Sequence, residues 1–188
     1  MPTPYAYFQG NIVPLSEAKI GVMTHAFNYG TAVFEGIRGN WNDDDQTTYL
    51  FRLREHFERL GQSSKILTLQ MHQAVDQLCE IAVELVERSG FTEDVYLRPM
   101  VYLSSEQLGV RLHNLESDTL IFLTPFPAYL PEVARCHTST WRRVQDTGIP
   151  PRAKVTGIYV NSALAKSEAN ANGFDEAIML NENGHVSE

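Results

Sequence analysis

Lysine is scarce in this chain of 188 residues: only Lys19, Lys65, Lys154 and Lys166 occur. The formal net charge is −8, and no run of lysine or arginine interrupts the acidic balance. A nucleic-acid partner is therefore excluded as a reading, because such partners call for a basic patch, and the acidity reads mainly as solubility. There are two cysteines, Cys79 and Cys136, far apart and outside any CxxC pattern. They offer no disulfide framework and read as plain thiols. No apolar run approaches the roughly 18 residues a membrane span needs, and no charged segment followed by an apolar one opens the chain. The expectation is a soluble, cytoplasmic protein. Repeats and low-complexity tracts are absent as well. The length allows one large domain, or one domain and part of another.

Of the four lysines, three have bland surroundings, and Lys154 does not. It sits in the stretch IPPRAKVTGIY at 149–159. Two prolines stiffen the approach, Thr156 and Gly157 let the backbone pass close to something, and Tyr159 can present a phenol beside the amine. That setting suits Schiff-base chemistry if desolvation or a nearby cation lowers the amine's pKa. A lysine is nonetheless ordinarily a solvated surface residue.

Periodicity places the other elements. Residues 5–8 and 12–13 read as a hairpin that turns on Gly10-Asn11. The stretch HAFNYGTAVFEGIRGN at 25–40 mixes aromatics with glycines and reads as strand and turn in a core. A strand is expected at 47–51, then a helix at 54–67 bearing Arg59, a surface residue or an anion ligand. Val75, Leu78, Ala82, Leu85 and Val86 share one face of a helix over 73–88, which Ser89-Gly90 stops. Residues 95–103 and 119–124 are rich in β-branched and aromatic side chains and predict two strands joined by a loop at 104–118. In the first of them Tyr96 and Arg98 fall on one face, where they line a cavity or a solvated sheet surface. Pro125, Pro127 and Pro131 around Tyr129 mark a linker. Beyond it the pattern predicts a strand at 137–143, a helix at 162–172, a strand at 176–180 and a turn at 181–184. The fold class is α+β: a small antiparallel-sheet domain over 1–125, a linker at 126–136, and the start of a second α/β domain over 137–188.

Five motifs stand in a fixed order: YGTAVFEGIR at 29–38, FRLREHFERL at 51–60, YLRP at 96–99, the Lys154 segment, and NGHVSE at 183–188. Together they resemble the class IV pyridoxal-phosphate aminotransferases over essentially the whole chain. The first motif is similar to the branched-chain amino-acid aminotransferase version; D-amino-acid aminotransferases and aminodeoxychorismate lyase usually carry an acidic residue and a glycine where Thr31 and Ala32 stand.

The resemblance implies a two-domain class IV fold, pyridoxal 5′-phosphate as cofactor, and amino-group transfer from leucine, isoleucine or valine to 2-oxoglutarate. A D-amino-acid aminotransferase, aminodeoxychorismate lyase or a catalytically silent fragment is the alternative. Residue by residue, Lys154 matches the Schiff-base lysine, Tyr159 the tyrosine on the cofactor's 3′ oxygen, Arg59 the phosphate ligand and Glu188 the carboxylate facing the pyridine nitrogen. Phe34, Tyr29, Val110 and Tyr129 match the side-chain pocket, partly lent by a neighbouring subunit of a homodimer. Tyr96 matches a ligand of the substrate α-carboxylate and Arg98 the residue that meets the distal carboxylate of glutamate. For Arg38 a structural salt bridge is expected. The family pattern continues beyond Ser187-Glu188, so an N-terminal portion of a longer enzyme is expected.

Overall fold

The structure is a computed structural model describing residues 2–126 and 131–188. Strands β1 (Tyr5–Phe8) and β2 (Asn11–Pro14) open it as a hairpin. The turn is made by Gln9 and Gly10, both at positive φ (50° and 79°), one residue earlier than the expected Gly10-Asn11 pair. Two left-handed residues in succession give the turn a twist that matches the flanking strands. Asn11 instead begins β2, and its side-chain amide donates to the Gln9 carbonyl.

The stretch 25–40 is more varied than expected. It holds a short helix α1 (His25–Tyr29), then β3 (Ala32–Phe34) and β4 (Ile37–Asn42). With β5 (Thr47–Leu50), β6 (Val95–Leu103) and β7 (Ser117–Pro125) these build one antiparallel sheet in the order β2-β1-β7-β6-β4-β5, with β3 also paired to β6. Helices α2 (Leu53–Ile66) and α3 (Val75–Ser89) cover one face.

The core follows from two periodicities. Along β6, Val95, Leu97, Val101 and Leu103 are fully buried, alternate residues on one face of the pleat. Phe57 and Leu60 of α2, and Leu78, Ala82 and Leu85 of α3, meet them at helical spacing. Helix α3 stops at Gly90, whose φ of 62° supplies the left-handed cap.

β3 and β4 run against β6 in one continuous register: Phe34 opposes Met100 and Ile37 opposes Leu97. Between them Glu35 stands opposite Pro99, which has no N–H to give, and the Glu35 N–H bonds across to the Pro99 carbonyl at 2.9 Å. Val33, Glu35 and Ile37 are all fully buried, so the alternation turns a carboxylate toward the helix-covered side of the sheet.

The remaining elements are β8 (Cys136–Thr138), α4 (Tyr159–Ala171) and β9 (Glu176–Ile178), with β8 and β9 parallel. The strand expected at 137–143 is cut short because Ser139 and Thr140 turn their hydroxyls onto the Glu168 carboxylate of α4. Helix α4 starts earlier than expected, directly after a 3-10 turn at Thr156–Ile158. Ala153 and Val155 belong to the core of the sheet and helices above, so the Lys154 segment is packed against that core.

Candidate active site

Lys154 is fixed on the edge of β3 by backbone bonds from both sides. Its carbonyl accepts from the Phe34 N–H at 3.0 Å, and Val155 forms a bridge with Val33. One residue on, the Thr156 hydroxyl donates to the Gly30 carbonyl at 2.9 Å, and the Gly157 N–H reaches the same oxygen at 3.2 Å. Glycine is required at position 30: its φ is +66°, and a Cβ there would lie 2.7 Å from the Gly157 Cα.

From this seat the Lys154 side chain, half-buried, donates to the Tyr159 hydroxyl at 2.7 Å. Its ammonium also lies 4.9 Å from the centre of the Phe34 ring, and that ring packs against Tyr159. The other lysines differ: Lys19 and Lys65 are exposed, and Lys166 is bound to Glu176 and to the Asp175 carbonyl.

Lys154 and Tyr159 stand in the wall between two cavities. The first, about 670 Å³, is lined by Phe34, Glu35, Arg59, Tyr96 and Arg98. Arg98 stacks on Phe34, its guanidinium 4.2 Å from the ring centre, and donates to the Tyr96 hydroxyl at 3.0 Å. The second, about 560 Å³, is more polar and includes Arg143, Asn181 and Glu188. There the Glu188 carboxylate pairs with Arg143 at 2.5 Å. Its backbone is held by Met179, which exchanges hydrogen bonds with it in both directions.

Arg59 is held by a group that periodicity did not single out. Both Glu35 oxygens receive the guanidinium, at 2.5 and 2.6 Å, and His56 Nδ1 adds a third hydrogen bond at 3.0 Å. Burial is the largest influence on Glu35 and pushes its pKa up, but the hydrogen bonds and charges of Arg59 and His56 outweigh it together and hold the carboxyl below its ordinary value. Glu35 in turn holds Arg59 firmly cationic. A signal existed in the sequence, namely a carboxylate on the core-facing alternation of Val33 and Ile37. Buried carboxylates require a partner.

The structure thus brings Lys154, Tyr159, Arg59, Phe34, Tyr96 and Arg98 around one cavity, and Glu188 with Lys154 and Tyr159 around the other. Tyr29 and Val110 line neither. Tyr29 accepts a hydrogen bond from the Gly109 N–H, and Val110 follows on the same loop, exposed. Tyr129 lies outside the described residues. Arg38 makes the expected structural pair, with Asp94 at 2.7 Å.

Residues 32–188 match the family model described as amino-transferase class IV. The chain is 44% identical, over 98% of its length, to a probable branched-chain-amino-acid aminotransferase of Aquifex aeolicus, of which it covers 60%. A crystal structure of the branched-chain aminotransferase from Thermoproteus uzoniensis with norvaline is similar at a TM-score of 0.94 and 43% identity; 99% of this chain and 62% of that one are covered. The branched-chain amino acid aminotransferase from Thermobaculum terrenum in its PLP-form matches at a TM-score of 0.90 and 34% identity, over all of this chain and 62% of that one. The chain spans about three fifths of the length of these relatives.

Proposed function

We propose, from the premise that this chain belongs to the class IV aminotransferase family, that the protein transfers the amino group of leucine, isoleucine or valine to 2-oxoglutarate with pyridoxal 5′-phosphate as cofactor. The observation that carries this reading is the Lys154 amine, held 2.7 Å from the Tyr159 hydroxyl in the wall between two cavities, with Arg59 lining one and Glu188 the other.

The residues present suit that cofactor. Glu35 accepts the Nε N–H and one Nη2 N–H of Arg59, which leaves the remaining N–H groups of the guanidinium as an anion ligand for the phosphate. Tyr159 offers a phenol for the ring oxygen, and Glu188 a carboxylate for the ring nitrogen. When bound through its aldehyde, the cofactor supplies an electron sink for loss of the substrate's α-proton. The Lys154 Nζ is the group placed to take and return that proton, and its contact with Tyr159 fixes where it waits. Phe34 gives the branched side chain an apolar wall, while Tyr96 and Arg98 serve the carboxylates. Tyr29 and Val110, which line neither cavity, complete the wall from a neighbouring copy in a homodimer, and Tyr129 is assigned to the same wall by its match to the family motif. The division into a domain over 1–125, a linker at 126–136 and a second domain from 137 belongs to the same proposal, as does a cytoplasmic location. Among the described residues no helix is long and apolar enough to cross a membrane.

The test is covalent. Borohydride reduction of the protein loaded with pyridoxal phosphate, followed by peptide mapping, is expected to find the cofactor on the peptide containing Lys154. Label on Lys65 or Lys166 would end this reading.

The Arg98 assignment has its own measurement. A wall of Phe34 offers a carboxylate nothing, so loss of the guanidinium should matter for glutamate and not for leucine. Arg98→Met is expected to lower kcat/KM for glutamate or 2-oxoglutarate about ten- to a hundredfold more than for leucine, the usual size of a hydrogen bond to a charged group. Equal losses for both would make Arg98 a support for the fold or for the shared α-carboxylate.

A further inference from the structure

Away from those two cavities, Gly109, in the loop over 104–116, is held at both of its backbone polar groups. Both its backbone polar groups are taken by side chains of the five-residue helix α1. Its carbonyl is met by His25 Nε2 at 2.6 Å, and its N–H donates to the Tyr29 hydroxyl at 3.0 Å. A carbonyl only accepts, so Nε2 carries a proton; Nδ1 is met by the Thr31 hydroxyl at 2.8 Å, which can donate to it in the neutral ring. The imidazole is fully buried and packs on the Tyr29 ring at 4.7 Å between centres.

Further bonds close the base of the loop. The His25 N–H donates to the Ser105 carbonyl at 2.9 Å, and Thr24 bridges Glu106. Gly109 itself has a φ of +123°, a conformation other residues adopt only with strain. The residues on either side are apolar and turned outward: Leu108 is 67% exposed and Val110 79%. A loop fixed for packing alone would bury such side chains. This one immobilises its glycine and projects them.

We propose that His25 is a positioning residue for substrate specificity, holding Gly109 so that Val110 is presented as a rigid part of the apolar wall that receives the branched side chain. The inference rests on the reading of Val110 as a side-chain pocket residue. Val110 lines neither of the two cavities beside Lys154, and on the same reading, in which part of the wall is lent by a neighbouring copy, the pocket it serves is that copy's. A tip ordered in advance loses no freedom when substrate arrives, so its apolar contact is realised in full. The benefit goes to an aliphatic side chain, because a carboxylate gains nothing from an apolar wall.

The test uses the assembled, cofactor-loaded protein and two readouts: kcat/KM for leucine and for glutamate, and hydrogen exchange at the Gly109 amide. For His25→Leu, kcat/KM is expected to fall about tenfold for leucine and to stay within about twofold for glutamate. The Gly109 amide is expected to exchange about tenfold faster or more, because without the His25 bond to its carbonyl the loop is free to leave the Tyr29 hydroxyl. His25→Gln, whose amide can still donate to the Gly109 carbonyl, is expected to recover most of both. Equal losses for the two substrates, or faster exchange with an unchanged substrate ratio, overturn the proposal. If His25→Leu does not fold, Thr31→Val removes the Nδ1 partner alone and carries the same comparison, with a smaller shift in the same direction. Val110→Ser separates the levels. A leucine-to-glutamate ratio unmoved by that change removes the reading of Val110 and the inference with it, whereas a ratio moved by Val110→Ser but not by His25→Leu overturns only the role of His25.

Discussion

Replacing Arg59 by methionine is expected to destabilise the protein by about 3 to 5 kcal/mol, the usual cost of leaving a buried charge without its ion-pair partner. Replacing Glu35 by glutamine should cost only about 1.5 to 3 kcal/mol, the scale of a hydrogen bond to a charged group. The two residues share the same bonds, so the asymmetry comes from where each is left. Arg59 is 57% exposed, and without Glu35 its guanidinium turns to water. Glu35 is fully buried, and without Arg59 it keeps only His56. The double variant should therefore be more stable than Arg59→Met alone, since the stranded carboxylate is gone.

The pH dependence gives a second check on the same pair. In the native protein Glu35 titrates below its ordinary value, so its contribution is present above the unfolded-state pKa, roughly 4.3 for a glutamate, and is lost as pH falls through the folded pKa. In Arg59→Met burial acts with less opposition, and the folded pKa is expected to move upward. The deficit of that variant is then largest near neutral pH and shrinks on acidification, as the carboxyl takes up a proton. Urea unfolding of the cofactor-free protein at neutral and mildly acid pH measures both effects. A Glu35→Gln variant less stable than Arg59→Met would refute the account. The result also bears on cofactor binding, because loss of affinity in Arg59→Met has to be judged against how much of the protein remains folded.

The second large effect is expected at Gly30. Gly30→Ala places a side chain at a left-handed φ and 2.7 Å from the Gly157 Cα, a backbone atom that cannot rotate aside. Left-handed strain of about 1 to 2 kcal/mol and overpacking of about 1 to 3 kcal/mol together predict a loss of roughly 2 to 5 kcal/mol. The reciprocal change, Gly157→Ala, is a control of unusual closeness. Its φ is outside the left-handed region, and its nearest neighbours would be the Gly30 carbonyl oxygen at 3.3 Å and the Gly30 Cα at 3.6 Å. It is expected to cost about 1 kcal/mol or less, as a helix-compatible site with a tolerable contact. The two thermal midpoints, together with the rate at which an amine reagent modifies Lys154, read out the difference. Gly30→Ala should move both, Gly157→Ala neither by much. Similar midpoints for the two would show that the contact yields more easily than the distances imply.

Much of the fold could be read from local pattern. Strand β6 occupies the residues expected for it because its alternation is unbroken, and α3 differs only at its ends because its apolar spacing and Gly90 mark it. Where side chains act on backbone, the pattern failed. Ser139 and Thr140 read as strand residues, yet they serve Glu168 on a helix almost thirty positions away. Lys154 stood out because lysine is rare and its neighbours are stiff. Glu35 and His56 did not, because their pairing with Arg59 spans two elements and appears in no periodicity. Tyr29 and Val110 were expected together in one pocket wall; the structure joins them through Gly109, 80 residues from Tyr29, by a backbone bond that composition cannot announce.

The seat of Lys154 on β3 also has a consequence for how the chain is made. Gly30 and Thr156 are joined across 126 positions, and Val33 is shielded by Val155. At about 5 to 20 residues per second, a ribosome needs roughly 6 to 25 s to travel that distance. Throughout that interval the nascent chain holds β3 without the strand-like segment that finishes its edge, and the core without Ala153 and Val155. An unfinished edge beside exposed valine is a place where another unfinished chain can pair. The newborn protein is therefore most vulnerable to aggregation after β3 has emerged and before residue 155 follows, and a chaperone acting in that window would protect the part of the molecule on which the lysine will rest.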